Sequence, residues 1–379
     1  MVNLMLNAGG LWGQIIGWFN SFIPSFGLTI IVFTIALKLI LSPLEIYQKI
    51  STKKQAEVQA KLQPQIEKLQ KKFGNNKEML NQKTMELYKK ENFNLTGSCL
   101  GMFINLVVTL VVFITLFSSL NSISQYNVKT EYQTLQNTYQ TTYVTSLINS
   151  TNSTVSTEGL TINEIIEQIL IENPSIDIEN AKQQASLDAQ NQVSKKYGEI
   201  KEGFLWVKNI YRPDTYASIF PSAEEYLAIS NTNFKNVQTT PFVDIYGTSY
   251  TEIEASKTAF INDFKEITAG INTNYAGWNG YLILVVLAGV VTVLSQIITT
   301  KSTKAKPVVD KKGNEIEVKQ PSNKLMLILL PALMIIFTLQ YSSAFALYLV
   351  VNSLMSLIIG LFTNVVMNKI EKRKAEKSV

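Results

Sequence analysis

No histidine occurs in this sequence, and cysteine occurs once, at Cys99. The first absence excludes a Ser-His-Asp triad, a Cys-His pair and any imidazole metal site. The second excludes an internal disulfide, so Cys99, beside an apolar run, reads as a small buried hydrophobe. No glycine-rich phosphate loop is present either. An energy-consuming pump or a soluble-type hydrolase is therefore not expected, nor is any enzyme activity, cofactor or metal. Charge is missing as well, over long stretches. Phe26–Leu44 carries only Lys38, and Cys99–Leu120, Gly277–Thr300 and Leu325–Asn368 carry none.

Uncharged apolar runs of 18 or more residues read as membrane-spanning helices. The last one, 44 residues long, would measure about 66 Å as a single helix, roughly twice the hydrocarbon thickness. It must fold back, and the polar break Gln340–Ser343 is the natural turn. The expected fold is an all-α membrane protein with five transmembrane helices, at 26–46, 98–118, 277–300, 325–340 and 343–367. Between and around them lie residues 1–25, 47–97, 119–276, 301–324 and 368–379.

Cations mark the inner side of a membrane. Tyr47–Ser98 holds 11 lysines against 5 acids, Lys301–Lys324 holds 7 against 3, and the tail from Lys369 holds 5 basic residues against 2 acidic. Ser119–Ala276 holds 10 basic residues against 18 acidic. This asymmetry predicts an external acidic domain, an outside N-terminus and a cytoplasmic C-terminus. The net charge of +5 is then an inner +13 and an outer −8, and it does not point to DNA. Leu11, Trp12, Ile15, Ile16, Phe19 and Phe22 recur at helical spacing, which predicts a short interfacial helix before the first span. The alternative is a disordered leader.

Between the first two spans, Val58, Leu62, Ile66, Leu69 and Phe73 form one apolar stripe, Gly74–Asn76 supplies a turn, and Met79, Leu80, Leu87 and Tyr88 face back. These residues predict a lysine-coated helical hairpin in the cytoplasm, with a kink at Pro64. Such a hairpin is either a spacer or a surface for anionic lipid or ribosomal RNA.

Four spans carry narrow polar strips: Thr34, Lys38 and Ser42; Asn105 and Thr109; Thr292, Ser295, Gln296 and Thr299; and Asn352, Ser356, Gly360 and Thr363. Strips of this kind either glue membrane helices together or converge on a hydrated cavity. Lys38 favours the cavity, because a charge at mid-membrane marks one by default. Snorkelling is the competing reading. Glu45 lies seven residues away, about 10 Å along a helix, and a lysine stem recovers only part of that distance.

The segments GLTIIVFTIALKLILSPL, KLQPQIEKLQKKFGNNKEMLNQKTMELYKKENFNLTGSCLGM, FLWVKNIYRPD, LAGVVTVLSQ and SNKLMLILLPALMIIFTLQYSSAFALYLVVNSLMSLI resemble, in order, those of the YidC membrane-protein insertase family. The resemblance covers all five spans and the hairpin, and it implies a hydrophilic groove open to cytoplasm and lipid. The groove cation falls on Lys38, where most members carry arginine. Lined by Thr34, Ser42, Asn105, Thr109, Thr292, Ser295, Gln296, Asn352 and Ser356, it would receive nascent membrane proteins in a bacterial cell membrane. The ribosome and membrane lipids are implied partners, and the Sec translocon is a further candidate. A small-solute transporter or channel is the alternative function. Where the family has Asn-Pro this chain has Asn94-Leu95, and for Tyr-Trp it has Tyr348-Leu349. Ser119–Ala276 exceeds the family's short external loop; its helical stretches have no function assigned by sequence.

Overall fold

The computed structural model describes residues 9–90, 95–230, 232, 234–302, 308–309, 315–316 and 324–376. The side chains of Cys99 and Asn105 lie outside the described residues, as do residues 1–8, most of 303–323 and the last three of the basic tail.

A short helix α1 (Gly10–Asn20) precedes α2 (Phe26–Phe73), which is 48 residues long, or about 72 Å. It runs unbroken through Pro43 and Pro64. A proline orphans the carbonyl four residues before it, and the Ser42 hydroxyl donates to one such group, the Leu39 carbonyl, at 2.8 Å. Helix α3 (Lys77–Lys90) folds back on the distal end of α2. The hairpin's first arm is therefore a direct extension of the first apolar segment.

Helix α4 (Leu95–Thr151) is longer still, at 57 residues. Its first part is apolar and its last part is polar, so one rod joins the membrane region to the acidic domain. That domain adds α5 (Ile162–Glu172), α6 (Ile178–Ile200), α7 (Ala223–Ser230), a two-residue ribbon of β1 (Phe242–Val243) with β2 (Ser249–Tyr250), and α8 (Ile253–Asn274). Its core has a simple sequence basis. Ala181, Ala185, Ala189 and Val193 stand four apart on α6 and are buried. Small side chains at that spacing let α6 lie close against α4, where Leu135, Tyr139, Tyr143 and Leu147 are likewise buried. Tyr132 stacks on Phe264 of α8 at 4.8 Å between ring centres. Glu266 accepts hydrogen bonds from Tyr139 (2.6 Å), Tyr246 (2.5 Å) and Ser186 (3.2 Å), which satisfies hydroxyls that burial would otherwise penalise.

The remaining helices are α9 (Ile283–Ser302), α10 (Lys324–Gln340) and α11 (Ser343–Glu376), with a second ribbon, β3 (Val308–Val309) and β4 (Glu315–Ile316), between α9 and α10. Among the described residues four helices, α2, α4, α9 and α11, contain segments long and apolar enough to cross a membrane, and α10 is a shorter apolar helix. Helix α11 is central, packed against α2, α4, α9 and α10. Leu28, Leu39, Ile40, Leu110, Ile114, Val286, Val290, Ile328, Ile336, Leu354, Ile358 and Phe362 all face outward. A belt of that kind suits lipid as the surrounding solvent.

The acidic-domain end of the bundle is held by one loop. Glu202 accepts from the backbone N–H of Phe26, the first residue of α2, and from the Tyr211 hydroxyl at 2.8 Å. The carbonyls of Arg212 and Ile210 accept from the N–H groups of Ser343 and Ala344, the start of α11. Asp214, fully buried, accepts from Tyr281 N–H at 2.8 Å and Leu284 N–H at 2.6 Å, the start of α9, and from Trp206 Nε1 at 3.2 Å. Residues 202–214 thus satisfy orphan donors at three helix N-termini, where carboxylates are also favoured by the helix dipole. Gly27 has no side chain because the Phe204 ring lies against it. Phe113, Phe117, Phe337, Tyr341 and Phe345 pack edge-on and tilted beneath the loop and close this end of the bundle.

Candidate functional site

Lys38 lies on the face of α2 that meets α11, and only 7% of it is exposed. Its Nζ reaches Glu45 Oε1 at 2.5 Å and Ser356 Oγ at 2.8 Å. The lysine stem covers only part of the distance to Glu45, and the glutamate stem supplies the rest. Both stems extend along the helix face, one toward the other, and together they cover the two turns between them. One turn beyond Glu45, the buried Lys49 donates to the Ser356 carbonyl at 3.4 Å, and Gly360 leaves room for its ammonium group. The site is therefore a row of alternating charges, Lys38, Glu45 and Lys49, laid against the polar strip of α11. Glu45 and Lys49 were not among the sequence candidates. Their signal was present, since offsets of seven and eleven residues return to one helix face.

Beside Lys38 lies a small cavity of about 60 Å³ between α2, α4 and α11, lined by Leu37, Leu41, Glu45, Thr109, Val112, Tyr348 and Asn352 among others. Lys38, Thr109, Asn352 and Ser356 are thus brought together. Thr34 and Ser42 are not turned to the cavity, because their hydroxyls bond back to the carbonyls of Ile30 (2.6 Å) and Leu39 (2.8 Å). Thr363 does the same to Ile359 at 2.7 Å. On α9, Thr292 meets Ser353 of α11 at 3.1 Å, Ser295 is half-buried, and the buried Gln296 Nε2 has no partner among the described residues. That strip seals α9 to α11 rather than lining the cavity.

Helix α1 is anchored nearby. Trp12 Nε1 donates to Thr115 at 2.8 Å, and Ile16 is buried, whereas Leu11, Trp18 and Phe22 face outward.

In the acidic domain two carboxyl groups are raised furthest from the usual range. Burial pushes Glu131 up to about 8, only partly opposed by the Asn209 amide at 3.3 Å. Burial likewise raises Asp263 to about 7, against the backbone N–H of Ile245.

Fold and site together define an all-α, multi-pass membrane protein with a charged residue buried among its helices. A family model described as 60Kd inner membrane protein matches residues 18–372, and the chain belongs to that family. Among similar proteins is the membrane protein insertase YidC of Fusobacterium nucleatum, 42% identical over 87 residues, which are 23% of this chain and 40% of that protein. The one from Caldanaerobacter subterraneus is 36% identical over 94 residues, 25% of this chain and 44% of that protein. The one from Leptospira interrogans is 46% identical over 84 residues, 22% and 13% respectively. The chain thus spans less than half the length of these curated relatives.

Proposed function

We propose that this protein inserts nascent hydrophobic segments into a bacterial cell membrane by way of a groove between α2, α4 and α11. What carries the reading is Lys38, a cation buried at membrane depth beside a small cavity that Glu45, Thr109 and Asn352 also line, in a chain of this family. The basic arm of α2 and α3 and the C-terminal end of α11 lie on the cytoplasmic side, and the acidic domain and N-terminus lie outside.

In this reading a client's acidic tail enters from the cytoplasmic side, where low dielectric strengthens its attraction to Lys38. Its apolar part slides along the outward faces of α4 (Phe103, Leu106, Leu110) and α11 (Leu354, Ile358), all exposed in the folded chain, and into lipid. Hydrophobic transfer of about 25 cal/mol per Å² then outweighs the ion pair and the tail is released outward. The basic arm receives the client or its ribosome, and the Sec translocon is a further candidate partner. Reconstitution into liposomes tests the reading. Lys38→Arg retains insertion of acidic-tailed clients, and Lys38→Ala impairs it. Normal insertion by Lys38→Ala removes the groove cation from the mechanism.

A further inference from the structure

Lys38 already has a carboxylate. Glu45 holds its ammonium at 2.5 Å with 9% and 18% of the two side chains exposed, and the adjoining cavity is only about 60 Å³. A client carboxylate cannot pair with Lys38 until Glu45 moves. Lys49 offers a place for Glu45 to go: it sits four residues on, hence one turn along the same face, buried against the Ser356 carbonyl and the open side of Gly360. Ser356 connects the two lysines, its hydroxyl on one and its carbonyl on the other.

We infer that Glu45 is the resident counter-ion of Lys38 and sets which clients the groove accepts: an acidic tail is admitted by exchange, as its carboxylate replaces Glu45 on Lys38 and Glu45 turns to Lys49. This rests on the proposed insertion function. Exchange takes the site from one ion pair to two, so neither the client's charge nor Glu45 is left uncompensated in the low-dielectric interior, where an unpaired charge is expensive. It also makes the site selective, because a neutral tail gains nothing by displacing Glu45.

The test uses the full chain in proteoliposomes and two single-span clients that differ only in their tails, one with two aspartates and one with two asparagines. The readout is the ratio of their rates of tail protection from external protease. Glu45→Gln leaves Lys38 without its competitor and raises the acidic-to-neutral ratio, by about tenfold for a close buried pair. Glu45→Asp, which keeps the charge on a shorter stem, gives a smaller rise and serves should the glutamine variant fold poorly. Lys49→Ala, which removes the landing place, lowers the ratio. An unchanged or reduced ratio in both Glu45 variants, with Lys38→Ala still abolishing the preference, makes Glu45 a structural brace and overturns the exchange while insertion through Lys38 stands. A ratio that Lys38→Ala does not alter overturns the insertion reading and the exchange with it.

Discussion

Replacing Glu131 by glutamine should stabilise the folded protein at alkaline pH and leave it nearly unchanged at acid pH. Glu131 sits on α4 with 6% exposure; one carboxylate oxygen faces Asn209 and the other, Oε1, has no partner among the described residues. Burial raises its pKa from 4.5 to about 8. The native state therefore keeps the proton up to about pH 8, whereas the unfolded chain releases it near 4.5. Between those values the native state binds more protons, so stability falls as pH rises. Each pH unit in that window costs 1.36 kcal/mol, or roughly 4 kcal/mol between pH 5 and pH 8. Glutamine retains a carbonyl for the Asn209 amide and does not titrate. Thermal unfolding of the full chain in detergent micelles at pH 5, 6, 7 and 8 gives the comparison. The midpoints of wild type and Glu131→Gln should diverge progressively, by about 2–4 °C per kcal/mol for a unit of this size. Asp263, raised to about 7, lowers stability in the same direction, but its contribution is common to both proteins and ends near pH 7. Parallel curves, or divergence toward acid, would refute the argument from burial.

Three further outcomes follow from the packing. Asp214→Ala removes the acceptor for three donors, one buried and two partly buried, and costs about 1–3 kcal/mol for the buried one; protease digestion in detergent should show the 202–214 loop and the start of α9 cleaved far faster. Ala185→Leu forces a large side chain between α6 and α4 and costs about 1–3 kcal/mol or more. Near-UV circular dichroism should show loss of tyrosine ordering in the acidic domain, with helical content of the membrane region retained. Ser356→Ala leaves the Lys38 ammonium with Glu45 as its remaining named partner and costs about 1.5–3 kcal/mol for a lost charged hydrogen bond, measured as a lower unfolding midpoint.

The membrane helices were legible because charge-free runs leave no other economical fold for the backbone. What the runs conceal is where helices end. At Tyr47–Lys54 and Asn121–Tyr132 the sequence turns from apolar to polar, which reads as a boundary, yet no glycine or proline interrupts either stretch and both helices continue. Composition there reports the change of solvent, not a change of backbone. Lys38 stood out as a single charge, but its partner did not, because stem lengths of two side chains must be added before residues seven apart meet. The strips of α9 and α11 carry the same residue types whether they seal helices or line a cavity, and only the contact of Thr292 with Ser353 separates the two uses. The fold of the acidic domain depends on pairing the alanine face of α6 with the tyrosine face of α4, residues more than 30 positions apart, which local periodicity does not encode.

The proposed route takes clients past Lys38 between α2, α4 and α11, and photocrosslinking from Asn352, on the cavity wall, to stalled nascent chains tests that route. Crosslinks from Asn352 and Thr109 to the client, with none from a probe at Val290 on the outward face of α9, are the predicted result. Crosslinks that form equally from Val290, or that are absent from Asn352 while insertion proceeds, would contradict the account.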